Sequence, residues 1–171
     1  MSETEKPAGP FAVESLPWSD WSEGVRFGGK VRVLSDTRKE GSKLRIGISI
    51  EELPPGKQSS TFHFHMVEEE HMLILEGAAT LRLGDERYPV KAGDFVSFPA
   101  GSPHGHCLIN ETDAPCRFMM IGDNAANEVC IYPDSNKVMV RAIGRMGRED
   151  IFNAGQTYDY WDGEKADEAP V

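Results

Sequence analysis

The chain has 171 residues, 39% of them hydrophobic and 27% charged, which is enough for one hydrophobic core. Twenty-eight acidic residues against eighteen basic ones leave a formal charge of −10. Affinity for phosphate backbones needs the opposite sign, so nucleic acid is not an expected partner. No stretch approaches the roughly 20 apolar residues of a membrane helix. The start, Met1-Ser2-Glu3-Thr4-Glu5, is acidic where a signal peptide is basic and then apolar, so a cytoplasmic protein without membrane contact is expected.

Residues 1–24 carry Glu3, Glu5, Glu14, Asp20 and Glu23 against Lys6, a net of −4. With Pro7, Pro10, Pro17, Trp18 and Trp21 they read as an extended arm whose aromatic residues need a surface to pack on. A barrel is expected over residues 25–141. Its β-like runs, in order, are Val31–Leu34, Leu44–Ile50, Thr61–His65, Met72–Leu75, Ala79–Leu83, Phe95–Phe98, His106–Ile109, Arg117–Ile121, Val129–Tyr132 and Lys137–Arg141. Breakers separate them at Pro54-Pro55-Gly56, Gly84-Asp85, Ala92-Gly93-Asp94, Pro99-Ala100-Gly101 and Pro133-Asp134. Short strands at this spacing predict an all-β antiparallel sandwich or barrel. Gly28-Gly29-Lys30 reads as a turn and not as a phosphate loop. Residues 142–171 hold Arg145, Arg148, Phe152, Tyr158, Tyr160 and Trp161, too aromatic for a disordered tail, and are expected to pack on the barrel or on a partner subunit. Arms and exposed sheet edges together predict a homodimer. Cys107, Cys116 and Cys130 form no C-x-x-C pair and read as packed free thiols.

All five histidines, His63, His65, His71, His104 and His106, fall within residues 63–106. In Phe62-His63-Phe64-His65 the two-residue strand period sends both imidazoles to one face, where they can converge on one ion. Glu70, arriving on the next strand, would add a carboxylate, the two-histidine, one-carboxylate face that suits non-haem iron. An isolated H-x-H is more often a pair of solvent-facing histidines; the surrounding residues decide otherwise.

From Gly56 the order is six residues, His63-x-His65, four residues, Glu70, six residues, Gly77. Fifteen residues later comes Gly93, five residues, Pro99-x-Gly101, two residues, His104. This resembles the two signature motifs of the cupin superfamily over residues 56–110, with six rather than five residues between the first glycine and H-x-H. The resemblance implies a small double-stranded β-helix, or jelly-roll, barrel. It also implies a divalent metal (Fe2+, Mn2+, Ni2+ or Zn2+) held by His63, His65, Glu70 and a third histidine. Counting forward from Pro99-x-Gly101 selects His104, and counting back from Asn110 selects His106. The chain is also similar to a bacterial cupin group with Y-P-D-S-x-K near residues 132–137 and Y-W-D-G-E at 160–164, which places its histidine just before L-x-N and so favours His106. His104 is then the candidate for proton transfer.

Glu68 and Glu69 read as turn residues facing water, and His71, on the opposite strand face from Glu70, as structural. Met72 and Ile74 share the face of Glu70 and would wall a cavity or simply form core. Arg45, Arg82 and Arg141 lie in predicted strands and could anchor a carboxylate. Three imidazoles and one carboxylate leave about two open positions on an octahedral ion. The chain is therefore expected to act on a small oxygenated molecule as a dioxygenase-type oxidoreductase or an isomerase. The alternative is a binding module that holds a small ligand without chemistry.

Overall fold

The computed structural model describes residues 9–37, 42, 44–141, 149–155, 157, 158 and 162. The first eight residues of the expected arm, Arg145, Arg148, Tyr160, Trp161 and all but Asp162 of the Y-W-D-G-E segment lie outside the described residues. The described strands are β1 (Ser19–Glu23), β2 (Phe27–Ser35), β3 (Ile46–Leu53), β4 (Phe64–His65), β5 (Glu70–Glu76), β6 (Ala78–Leu83), β7 (Glu86–Lys91), β8 (Phe95–Phe98), β9 (His106–Ile109), β10 (Cys116–Asp123), β11 (Glu128–Tyr132), β12 (Lys137–Arg141) and β13 (Glu149–Asn153). They form antiparallel sheets in the orders β1-β2-β3-β10-β5-β8, β13-β12-β11-β4 and β7-β6-β9. The all-β expectation holds.

Alternation along the strands builds the core. Met72 and Ile74 on β5, Ala79 and Leu81 on β6 and Phe118 on β10 are all under 5% exposed, and they join Leu53, Phe98 and Leu108 in one cluster. Full burial of each large apolar side chain stabilises the fold by about 1.5–3 kcal/mol. Asn110, fully buried at the end of β9, ties this core to its loops. Its amide donates to the Leu53 and Ala114 carbonyls, and its oxygen accepts from the Thr112 backbone N–H and hydroxyl.

Besides β13, which the sequence reading did not assign, three strands depart from that reading. β7 contains Pro89, which argues against a central strand; β7 is an edge, paired with β6 alone, where a missing donor costs little. β1 pairs with β2 from Ser19↔Val31 to Glu23↔Phe27, so this part of the expected arm is sheet. Gly28, Gly29 and Lys30, read as a turn, lie inside β2, where a Cβ on Gly29 would stand 2.8 Å from the Glu52 carbonyl oxygen. Gly77, which closes the first motif, has φ +76° and faces the Pro115 carbonyl so closely that a Cβ would sit 2.5 Å from it. Both constraints select glycine between β5 and β6.

Candidate metal centre

His63 and His65 flank Phe64 where the chain enters β4 and share one side of it, as the two-residue period requires. His63 is bridged antiparallel to His106: the His106 N–H donates to the His63 carbonyl at 2.8 Å and the reverse bond is 3.4 Å. This pairing sets two imidazoles side by side, their ring centroids 4.8 Å apart, with the His65 ring 5.0 Å from His63. Glu70 opens β5 and points at the same place. Its Oε2 lies 3.2 Å from His106 Nε2 and 3.5 Å from His65 Nε2. His63, Glu70 and His106 each offer a ligand atom within 4.8 Å of one another.

These separations test the fit of a cation. Two donors each about 2.1 Å from one ion stand about 3.0 Å apart at a right angle and about 3.4 Å apart at a tetrahedral angle. The Glu70–imidazole distances match that range. The protonation states agree as well. The His63 Nδ1 is 2.7 Å from the Thr61 carbonyl, which fixes its proton there and leaves Nε2 as a lone pair. Burial, and then the neighbouring His106, push the His63 imidazole down to about 4, so it is neutral at physiological pH. Burial alone would raise Glu70, but the His106 hydrogen bond and the imidazoles of His65, His106 and His63 outweigh it and hold the carboxyl at about 2. A neutral His63 imidazole beside an ionised Glu70 carboxylate is a pairing that a divalent metal can use.

The cluster lines a cavity of about 540 Å³. Its wall includes Met72, Phe118 and Met120 on one side and the hydroxyls of Ser49, Ser59, Thr61 and Tyr132 elsewhere. Of the two residues read as cavity wall or core, Met72 lines the cavity and both belong to the core cluster. Glu51 also lines the cavity, accepting a hydrogen bond from the Ser49 hydroxyl at 3.1 Å. Burial pushes its carboxyl up to about 7; the Ser49 bond works against this and the Glu70 charge adds to it. Cys130 faces His65 across the β4–β11 pair and lies within reach of His63 and His65. Burial raises its thiol to about 11.

The remaining candidates fall elsewhere. His104 is exposed, stands over Gly84, and lines a smaller cavity of about 90 Å³, not the large one. His71 lies on the outer face, bonded to Glu69 and Ser97 and stacked on Phe95. Glu69 is exposed. Glu68 corrects the sequence reading: its side chain is 7% exposed and paired with Arg141 at 2.6 Å, an ion pair across 73 positions that no local pattern announces. Arg82 is engaged by Asp134 and lies over the Phe62 ring. Cys107 is buried, its thiol raised to about 11 by burial, and packs as expected. Glu128 and Glu51 were not assigned to the site from sequence, and Arg141, read as a possible anchor for a carboxylate, pairs with the chain's own Glu68. Glu128 and Arg141 lie 58 and 71 positions beyond Glu70 and reach it only through β11 and β12.

Residues 49–122 match the cupin domain family. This stretch of the barrel is a cupin domain. Over 117 residues the chain is 30% identical to quercetin 2,3-dioxygenase of Bacillus subtilis (strain 168), covering 66% of this chain and 34% of that protein. The chain thus spans about a third of the length of that curated relative. Among solved structures, the cupin-superfamily sugar phosphate isomerase of Silicibacter pomeroyi DSS-3 superposes with a TM-score of 0.73 at 26% identity, covering 89% of this chain and 98% of that one. A polyketide cyclase from Streptomyces resistomycificus shares the fold with a TM-score of 0.57 at 22% identity, covering 68% and 80%. The cupin barrel here carries potential metal-ligand groups within the family's matched region, at His63, Glu70 and His106. No helix among the described residues is long and apolar enough to cross a membrane.

Proposed function

We propose that this cupin is a metal-dependent enzyme acting on a small oxygenated metabolite, with His63, His65, Glu70 and His106 as the ligands of one divalent ion. The observation that carries this reading is the convergence of the Glu70 carboxylate and the imidazoles on one wall of a 540 Å³ cavity. That volume suits a metabolite-sized ligand. When bound, a divalent ion supplies Lewis acidity and open coordination positions for an oxygen-bearing ligand. The names of the similar proteins, a dioxygenase and an isomerase, mark the two reaction classes such a centre serves.

The chain's own residues do the rest. His63 keeps its proton on Nδ1 through the Thr61 carbonyl and so presents Nε2 inward. Phe98 stacks flat on His106, 3.8 Å between centroids, and holds its ring plane. Glu70, as a ligand, is not free to act as a base, so proton movement falls to a group outside the set. Glu51 lines the same cavity with a carboxyl poised near neutrality and can hold a proton on its carboxyl oxygen. His104, the sequence candidate for this role, stands in the smaller cavity.

Metal analysis of protein purified without an affinity tag tests the reading. Near-stoichiometric metal in the wild type, lost in His63→Ala and Glu70→Ala, is expected; wild type that takes up no Fe2+, Mn2+, Ni2+ or Zn2+ overturns it. Oxygen uptake by the iron form with diketones, keto acids, phenols and thiols, and solvent-deuterium incorporation into hydroxy-carbonyl compounds, then separate oxygenase from isomerase. Silence in both assays would reduce the protein to a binding module.

A further inference from the structure

We infer that Glu128, outside both motifs and outside the matched family region, is a positioning residue that orients His65 and fixes the turn between His65 and Glu70. The inference rests on the metal-centre reading for its consequence and on the cavity-side geometry for its substance. Glu128 opens β11 and is 1% exposed. Its Oε1 accepts from the backbone N–H of Met66 at 3.0 Å and of Val67 at 3.4 Å, and its Oε2 from that of Glu68 at 2.6 Å. Three successive amides of the turn that follows the H-x-H strand therefore end on one carboxylate. A buried anion is tolerated when hydrogen bonds of this kind replace its lost hydration. In return the anion locks the turn, and the turn sets how far Glu70 stands from His65.

The same carboxylate stands behind the His65 ring. His65 Nδ1 is 3.6 Å from Glu128 Oε1 and 3.6 Å from Glu68 Oε2, while its Nε2 faces Glu70. That Nδ1 is buried and has no closer hydrogen-bond partner among the described residues. A negative charge on this side favours the proton on Nδ1 and leaves the Nε2 lone pair for a cation, the outer arrangement that orients metal-bound histidines. Of the two carboxylates, Glu68 has its charge met by Arg141 at 2.6 Å and by the Ala125 N–H. Glu128 is held by three backbone N–H groups and stands 3.6 Å from the ring. Glu128 thus joins two tasks, local backbone geometry and histidine tautomer, from a strand that reaches the site through the β4–β11 pair.

The test compares wild type, Glu128→Gln and Glu68→Gln in two measurements. In metal-free protein, long-range proton–nitrogen correlation spectra of the histidine rings should show His65 as the Nδ1–H tautomer in wild type and a mixed or reversed tautomer in Glu128→Gln. This readout needs no metal, so it stands even if the metal-centre reading fails. In chelator competition with Zn2+ and with Mn2+, Glu128→Gln should bind about 10–100-fold more weakly than wild type, and Glu68→Gln should change less. An unchanged His65 tautomer and an unchanged metal affinity in folded Glu128→Gln overturn the inference. Should that variant fail to fold, Glu128→Asp, which keeps the charge one methylene short, is read in the same way. Weakened metal affinity with an unchanged tautomer overturns the part of the inference that concerns His65, because a loosened turn alone would produce that result.

Discussion

Glu51→Gln in metal-free protein gives a prediction whose size can be worked out. The folded state holds the Glu51 proton up to about pH 7, against 4.5 for the free side chain, because burial opposes the charge. Between those values the unfolded chain binds fewer protons than the native state, so stability falls as pH rises through the window. At about 1.36 kcal/mol per pKa step, the full penalty above pH 7 is about 3 kcal/mol, and at pH 5 it is under about 1 kcal/mol. That is a large part of the 5–15 kcal/mol total usual for a domain. Glutamine removes the titration while keeping the shape and a side-chain oxygen that can still accept from the Ser49 hydroxyl. Urea unfolding of wild type and Glu51→Gln with excess chelator should therefore show the variant gaining about 2–3 kcal/mol relative to wild type between pH 5 and pH 8. A difference between the two proteins that stays flat with pH refutes the reasoning, and so does one that moves toward wild type at high pH.

Three further substitutions follow from contacts described above. Arg141→Met leaves the Glu68 carboxylate buried without its cation and should cost about 3–5 kcal/mol in urea unfolding at pH 7; a loss below about 1 kcal/mol would show the ion pair to be screened by solvent. Asn110→Ala removes four hydrogen bonds from a fully buried site and takes the amide donor from the Leu53 and Ala114 carbonyls, of which Ala114 keeps the Thr112 hydroxyl, so a loss of about 3 kcal/mol is expected, with a thermal midpoint lowered by several degrees. Gly77→Ala places a Cβ against the Pro115 carbonyl at a positive φ, and a cost of at least about 2 kcal/mol is expected; a neutral variant would mean that the β5–β6 turn relaxes freely.

The sequence carried the strands wherever alternation ran for four residues or more between breakers, as in Phe95–Phe98 and Lys137–Arg141, whose observed bounds coincide with the reading. It missed β7 because Pro89 disguises an edge strand, and β1 because Ser19-Asp-Trp-Ser-Glu23 lacks an apolar face; its residues are all exposed and held by pairing alone. The grouping of His63, His65 and Glu70 was legible because strand period and motif spacing are local quantities. The choice between His104 and His106 was not local. It depends on which residue sits opposite His63, and the bridge places His106 there. Glu68 lies in the turn as read but does not face water, because its burial is set by Arg141, and Glu128 showed nothing, since Asn-Glu-Val-Cys-Ile reads only as the start of a strand. Both belong to interactions spanning 60 positions or more, where a sequence without its fold gives no neighbour.

The bridge between His63 and His106 also has a kinetic meaning. It joins positions 43 residues apart, and closing a flexible loop of that length costs on the order of 3 kcal/mol in chain entropy. The imidazoles therefore cannot gather on an ion until the barrel has paid for most of its long-range pairing, and an early encounter with metal would find at best the His63-x-His65 pair. Metal bound at this place would hold together strands that meet late. Its effect would appear as slower unfolding, with the refolding rate nearly unchanged, and the occupied cupin would persist longer rather than form faster.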